Sequence, residues 1–412
     1  MVSTALTPHA TARLAASGLA LIAVAYGLAR FAYGLFVPAF RAEFGLEPSA
    51  VGLIGSASYG AYCVAIYPAM MLTPRFGSRV MAAAAGVLAA LGTALVGLAP
   101  DPGVLTVGVI LAGLSTGLAS PPLAHAVAMR VARGRRDRVQ AVVNSGTGLG
   151  VALSGPIALL TLAHWRVAWL AFAVAAVLVT LWVARSVPRA REVEHHTMVA
   201  RGLGGHRRRL RSLLPEPLLP QGAVRLHITA VLIGGATAAV WVFGQDVLTD
   251  RGDQSETAAT MAWAALGLCG LLGALAGDLA HRVGLRRAWA GCALGIALTT
   301  VLMGLLPGHP LATFTASGLF GAAYIATTGL ILISAAATYS YQPAAGVGLA
   351  FLTLALGQTV GGSFLGSLLG WVGAGPAFLT AAAAAAVSAA LAPSRLVGAR
   401  TEELTVVDRA PV

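Results

Sequence analysis

Arg75-Phe76-Gly77-Ser78-Arg79 and Arg282-Val283-Gly284-Leu285-Arg286 are two versions of one arginine turn, offset by 207 positions in a chain of 412 residues. That offset is close to half the length. It also carries Gly150 onto Gly357 and Gly155 onto Gly362. Each turn lies in a short link between two long apolar runs. Self-similarity at half-length means one unit built twice, and a duplicated six-helix unit of this kind marks secondary transporters.

Composition points the same way. Charged residues are 10% of the chain, hydrophobic residues 57%, and the mean hydropathy is +0.80. A soluble domain carries about 25% charge, so this chain is no solvated globule. Apolar segments of roughly 20 residues, each able to cross a bilayer core, fill most of its length. The expected fold is an all-α integral membrane protein with twelve transmembrane helices in two pseudo-symmetric six-helix bundles. Helices are expected near 14–40, 49–72, 79–99, 103–131, 139–162 and 166–187, then near 223–248, 255–280, 287–306, 310–338, 343–370 and 374–392. The expected units are a first bundle over 1–187, a linker over 188–222, a second bundle over 223–393 and a tail over 394–412. No cleavable leader is expected, because residues 1–12 are weakly polar and the first apolar run is too long for one.

The net charge of +12 reports topology rather than a nucleic-acid partner. All 27 basic residues are Arg, and there is no Lys. A Walker-type phosphate loop therefore lacks its Lys, and lysine Schiff-base chemistry is excluded. With both termini cytoplasmic, 23 arginines fall inside and three outside (Arg41, Arg166 and Arg251), leaving Arg30 in the membrane. That split fits the positive-inside rule for a multi-pass protein of the plasma membrane in contact with anionic lipid. Glu192, Glu194, His195 and His196 in the linker read as solvated residues rather than a metal site, and Cys63, Cys269 and Cys292 as small core hydrophobes. No metal and no cofactor are expected, and a monomer is.

With these features the chain resembles the major facilitator superfamily, twelve-helix secondary transporters with pseudo-symmetric halves, over essentially its whole length. The family carries the loop motif G-x-x-x-D-R-x-G-R-R between helices 2 and 3, with an echo between helices 8 and 9. Here the echo is the better preserved, as Gly277-Asp278-Leu279-Ala280-His281-Arg282-Val283-Gly284-Leu285-Arg286-Arg287. The first copy, with Arg75, Gly77 and Arg79, has Met70 at the glycine position and Pro74 at the acid position. The resemblance implies a charge latch, in which such arginines bond helix C-terminal carbonyls and a carboxylate of a neighbouring helix. The helix 5 antiporter motif is partial: Gly155-Pro156 is followed by Ile157-Ala158-Leu159-Leu160 instead of a glycine pair. Ala29-Arg30-Phe31-Ala32-Tyr33-Gly34-Leu35 looks like a poorly characterised branch of bacterial permeases.

Arg30 is the sharpest single clue to a site. A charge near the midplane costs at least ~2.5 kcal/mol on insertion scales, so it must face a wet cavity or a partner. Counted along an α-helix, Tyr26, Arg30 and Tyr33 at i, i+4 and i+7 share a face. Two readings stay open: a guanidinium holding an organic anion between phenols, or a structural pair with a carboxylate or helix-end carbonyls. Asp246 is a candidate partner of Arg30 at an outer gate, or a loop cap. Tyr59, Tyr62, His125, Trp241, Gln245, Tyr324, Thr327 and Gln358 complete the candidate substrate site, with Trp241 and Gln245 on one face. His125 is read as the one intramembrane histidine.

Carboxylates are scarce near the midplane, which argues against cationic cargo. The expected function is secondary active transport of a small organic anion or weakly acidic metabolite by alternating access. Coupling to a proton or a counter-anion is left open, with His125 and Asp246 as candidate carriers. A second transporter reading is efflux of a neutral amphipathic compound with Arg30 structural. Readings of another class are a non-transporting receptor and a membrane enzyme; no acid, metal or nucleophile cluster supports the latter.

Overall fold

The computed structural model describes residues 6–161, 164–188, 215 and 217–393. The tail and most of the expected linker, with Glu192, Glu194, His195, His196 and its arginines from Arg207 to Arg211, lie outside them.

Among the described residues, eleven helices are long and apolar enough to cross a membrane: α1 (Pro8–Phe44), α2 (Pro48–Phe76), α3 (Ser78–Gly97), α4 (Pro102–Arg130), α5 (Arg138–Leu160), α6 (Trp165–Ser186), α7 (Ala223–Arg251), α8 (Glu256–Val283), α9 (Leu285–Leu305), α10 (Pro310–Thr338) and α11 (Ala345–Val372). The apolar α12 (Ala374–Ala390) has 17 residues, roughly 26 Å at 1.5 Å per residue, close to a hydrocarbon core of about 30 Å. The first helix is longer than its expected 14–40. Thr7 caps it by accepting from the Ala10 amide at 3.3 Å, Pro8 fits the first turn, and Gly45 closes it at φ 62°.

The duplication is visible in the backbone. Gly77 and Gly284, the central glycines of the two arginine turns, take φ 85° and 86° with ψ 154° and 147°. A side chain is strained at that φ, so the turn requires glycine. The two glycine pairs also repeat their contacts. Gly150 packs on the Ala23 carbonyl of α1, and its repeat mate Gly357 on the Val231 carbonyl of α7. A Cβ on Gly155 would lie 2.9 Å from Ala264 of α8, and one on Gly362 would lie 2.5 Å from Ser56 Oγ of α2. So α5 and α11 each hold their own bundle's first helix with one glycine and the other bundle's second helix with the next. Lipid offers no hydrophobic drive to helix pairing, and close backbone approach at small residues supplies it instead.

Gly357→Val forces a branched side chain into the Val231 carbonyl. It is expected to destabilise the purified protein by about 1–3 kcal/mol, the range for overpacking, read as a lower melting temperature in detergent. Gly370→Val, with nothing within 4 Å of a Cβ, is the control expected to leave it unchanged.

The bundles meet along α2–α11, α5–α8 and α1–α7. Gly34 and Trp241 are repeat mates that touch each other, Gly34 resting on the Trp241 carbonyl. Residues related by a two-fold can touch only near its axis, so this contact marks the centre of the molecule. The third helices of each set of three pack outward: α6 turns Val174, Leu178 and Leu181 to the surface.

Candidate functional site

Just before that centre, α1 leaves α-helical geometry. Ala23–Phe31 is a π-helix, whose i→i+5 bonding widens the turn and displaces carbonyls from the usual ladder. Thr116 of α4 donates to one of them, the Ala25 carbonyl, at 3.1 Å. The wider turn changes which residues share a face. Tyr26 stays beside Arg30, with the guanidinium carbon 6.0 Å from its ring centre. Tyr33 does not: its hydroxyl donates to the Val51 carbonyl at 3.0 Å and its ring lies against Phe40. The expected Tyr26–Arg30–Tyr33 face is therefore corrected to Tyr26–Arg30–Phe31.

Arg30 is 6% exposed. Its guanidinium carbon lies 4.4 Å from the Tyr59 ring centre, 4.9 Å from Tyr62 and 5.3 Å from Phe31. One NH2 donates to Gln358 Oε1 of α11 at 3.1 Å, and Gln358 Nε2 donates to the Tyr324 hydroxyl of α10 at 3.3 Å. Among the described residues no carboxylate pairs with it. Magnitudes show how the charge is tolerated. Cation–π contacts of about 1–2 kcal/mol on desolvated rings and a charged hydrogen bond of about 1.5–3 kcal/mol match the ~2.5 kcal/mol insertion cost. The guanidinium is nevertheless incompletely satisfied, because its Nε has no partner among the described residues.

Trp241 of α7 stacks on Phe31 with ring centres 4.0 Å apart, and meets Tyr324, Trp263 and Phe320 edge-on. Its Nε1 is also buried without a partner. The structure thus brings together Tyr26, Arg30, Tyr59, Tyr62, Trp241, Tyr324 and Gln358 from both bundles. Phe31, which sequence reasoning passed over, is the ring that joins them. Gln245 sits one turn further along α7, 3.5 Å from Thr260 of α8, on the side where Trp241 meets Trp263.

Three expected members lie elsewhere. Thr327 donates to its own helix at the Ala323 carbonyl and faces the Cys292 thiol of α9. His125 lies 3.0 Å from Ser78 Oγ at the start of α3, on the arginine-turn face. Asp246 pairs with Arg41, not Arg30: both carboxylate oxygens accept from Arg41 NH1, at 2.8 and 2.7 Å. Arg41 also holds the Leu46 carbonyl at 3.2 Å and lies 3.7 Å from Asp250. The reason is depth. Arg41 and Asp246 both stand at the ends of their helices opposite the arginine turns, three helical turns beyond Arg30.

The family model of the Major Facilitator Superfamily matches residues 19–273, more than half of the chain. The chain belongs to this superfamily. Among solved structures, a mutant of the nucleoside transporter NupG superposes with a TM-score of 0.74 at 11% identity, over 92% of this chain and 98% of its own. A bacterial homologue of the human lysosomal transporter Spinster, inward-facing and occupied, gives 0.73 at 16% identity over 94% and 96%. The xylose transporter XylE from E. coli, partially occluded and inward open, gives 0.70 at 14% over 93% and 97%. At such identities the likeness is one of fold. No curated protein matches the sequence.

The superfamily's loop motif is only partly a latch here. In the first copy, Arg79 Nε donates to the Val187 carbonyl at the end of α6 at 2.5 Å, and Arg75 lies over the neighbouring Phe76 ring at 5.6 Å. In the second copy, with Gly277, Asp278, Arg282 and Arg286, no ion pair joins described residues. In the first copy, where Pro74 stands at the acid position, the described contact of Arg79 is with a helix-end carbonyl.

Another member of the arginine-turn face went unrecognised. His227 in the first turn of α7 lies inside the span expected at 223–248, so His125 is not the one histidine within a span. His227 Nε2 is 2.6 Å from the Tyr339 hydroxyl and Nδ1 is 3.1 Å from Thr353 Oγ1. Burial pushes the Tyr339 phenol up, so it keeps its proton and donates to the Leu218 carbonyl at 3.0 Å. The network ties α7, α11, the α10–α11 loop and the chain entering the second bundle. His227→Phe is expected to lower stability by about 1–2 kcal/mol by leaving these groups unpaired, measured by thermal melting; an unchanged midpoint contradicts it.

Proposed function

We propose that this protein is a secondary active transporter of a small organic anion or weakly acidic metabolite, working by alternating access in the plasma membrane with both termini cytoplasmic. One observation carries the reading: a buried guanidinium at the junction of the two bundles, with no carboxylate beside it and one N–H unpaired among the described residues. An isolated charge in a low-dielectric interior calls for an anion. Gln358 holds one side of the guanidinium and Tyr324 holds Gln358, so α1, α10 and α11 all register whether Arg30 is engaged. An anion that displaces Gln358 acts on both bundles at once. Arg41–Asp246 then serves as the outer closure, on the face away from the arginine turns.

The rival reading, efflux of a neutral amphipathic compound, draws on the ring contacts that already hold Arg30. A ligand screen on purified protein by thermal shift, repeated with Arg30→Ala, separates the two. Loss of stabilisation restricted to anionic ligands supports the anion reading. Retention of all binding after the substitution overturns it. Substrate flux in sealed vesicles distinguishes a transporter from a receptor.

A further inference from the structure

Arg30 gives the site a single positive charge. The other side chains gathered around it, Tyr26, Phe31, Tyr59, Tyr62, Trp241 and Gln358, are neutral. A dianion held there would bury a net negative charge, which a low-dielectric interior penalises heavily. A monoanion leaves the site neutral.

The shape of the cargo follows from the rings. The faces of Tyr59 and Tyr62 are covered by the guanidinium at 4.4 and 4.9 Å. Among the described residues, the stacked ring pair that crosses between the bundles is Phe31 on Trp241, 4.0 Å apart at 28°. It joins the two bundles and is adjacent in sequence to Arg30. An opening wide enough to admit a cargo separates α1 from α7 and pulls this stack apart, leaving two bare ring faces. A flat conjugated ring restores both stacking contacts, whereas an aliphatic body restores burial alone. Two buried donors, Arg30 Nε and Trp241 Nε1, one from each bundle, have no partner among the described residues. The Trp241 donor belongs to the stack, and the Arg30 guanidinium carbon lies 5.3 Å from the Phe31 ring centre.

We infer that the cargo is a planar aromatic monocarboxylate. Its carboxylate accepts from Arg30 Nε, its ring lies against Phe31 and Trp241, and the Trp241 N–H is available to a second acceptor on the cargo. This rests on the anion reading of Arg30 given above.

The test is calorimetric titration of the purified full-length protein with benzoate, cyclohexanecarboxylate, phthalate and benzamide. Benzoate is expected to bind tightest, with cyclohexanecarboxylate about fivefold to tenfold weaker for want of stacking, and phthalate and benzamide weaker still. Trp241→Leu is expected to remove most of the preference for benzoate over cyclohexanecarboxylate. The wild-type ranking stands as a test even if that variant does not fold. Equal binding of benzoate and cyclohexanecarboxylate, both lost in Arg30→Ala, overturns the aromatic inference and leaves the anion reading intact. Benzamide binding as tightly as benzoate overturns both. Absence of benzoate binding at millimolar concentration overturns the inference as well.

Discussion

Arg30→Ala is expected to weaken binding of an anionic cargo by roughly 30-fold to 100-fold, the equivalent of about 2–3 kcal/mol for charge-assisted hydrogen bonds. Transport of that cargo in vesicles falls in parallel. The folded protein is expected to lose little stability, because the substitution also removes a buried charge whose Nε is unpaired. A purely structural arginine behaves the other way: the melting temperature falls and binding of neutral ligands follows it. Measuring both quantities on one preparation decides between the roles. Arg30→Lys keeps the charge but loses the flat face against Tyr59 and Tyr62 and the reach to Gln358. It is expected to recover only part of the affinity, about tenfold short of wild type. Full recovery with lysine would show that point charge alone matters.

Breaking Arg41–Asp246 is expected to unlock the face away from the arginine turns. Removing one partner of a fully buried pair costs about 3–5 kcal/mol. The Arg41 side chain is 26% exposed and that of Asp246 11%, so solvent screening reduces the effect to about 1–3 kcal/mol, a shift of roughly 5-fold to 150-fold between states. In a background without Cys63, Cys269 and Cys292, Ser56→Cys reports the opening. Ser56 is 2% exposed and packs on Gly362 across the α2–α11 contact between the bundles. Asp246→Asn should raise its labelling by a membrane-impermeant thiol reagent. The exchange of Arg41→Asp with Asp246→Arg should lower labelling again. Identical labelling in all three proteins would mean that the pair does not hold this face shut.

Much of the site could be read from the chain because burial of a charge is visible in one dimension. Arg30 stands alone in a long apolar run, and Tyr59, Tyr62, Trp241, Tyr324 and Gln358 are the polar or aromatic interruptions of helices that face it. The errors came where spacing was translated into direction. Tyr33 was placed beside Arg30 by counting 3.6 residues per turn, and the π-helix over Ala23–Phe31 invalidates that count. No residue type signals such a turn; within it, the Ala25 carbonyl is met by Thr116 of another helix. Asp246, a candidate outer-gate partner of Arg30 or a loop cap from its place at the outer end of its helix, belongs instead to Arg41 at the same depth. Thr327 follows from depth and from the helix that carries it, and both leave rotation about the helix axis open. His227 was legible, since it falls within the seventh expected span, and was passed over.

By itself the sequence determined the class of fold and the duplication, because bilayer thickness converts apolar length directly into spans and because glycine at positive φ or against a carbonyl admits no replacement. Gly77 and Gly284, Gly150 and Gly357, carry that information locally. Only the tertiary structure decided who meets whom: that Arg30 faces Gln358 and four rings, that Asp246 belongs to Arg41, and that Phe31 and Trp241 join the bundles at the centre. Those pairings are set by helix rotation and by contacts more than 200 positions apart, and a helix rotated within lipid changes its partners without changing its hydropathy.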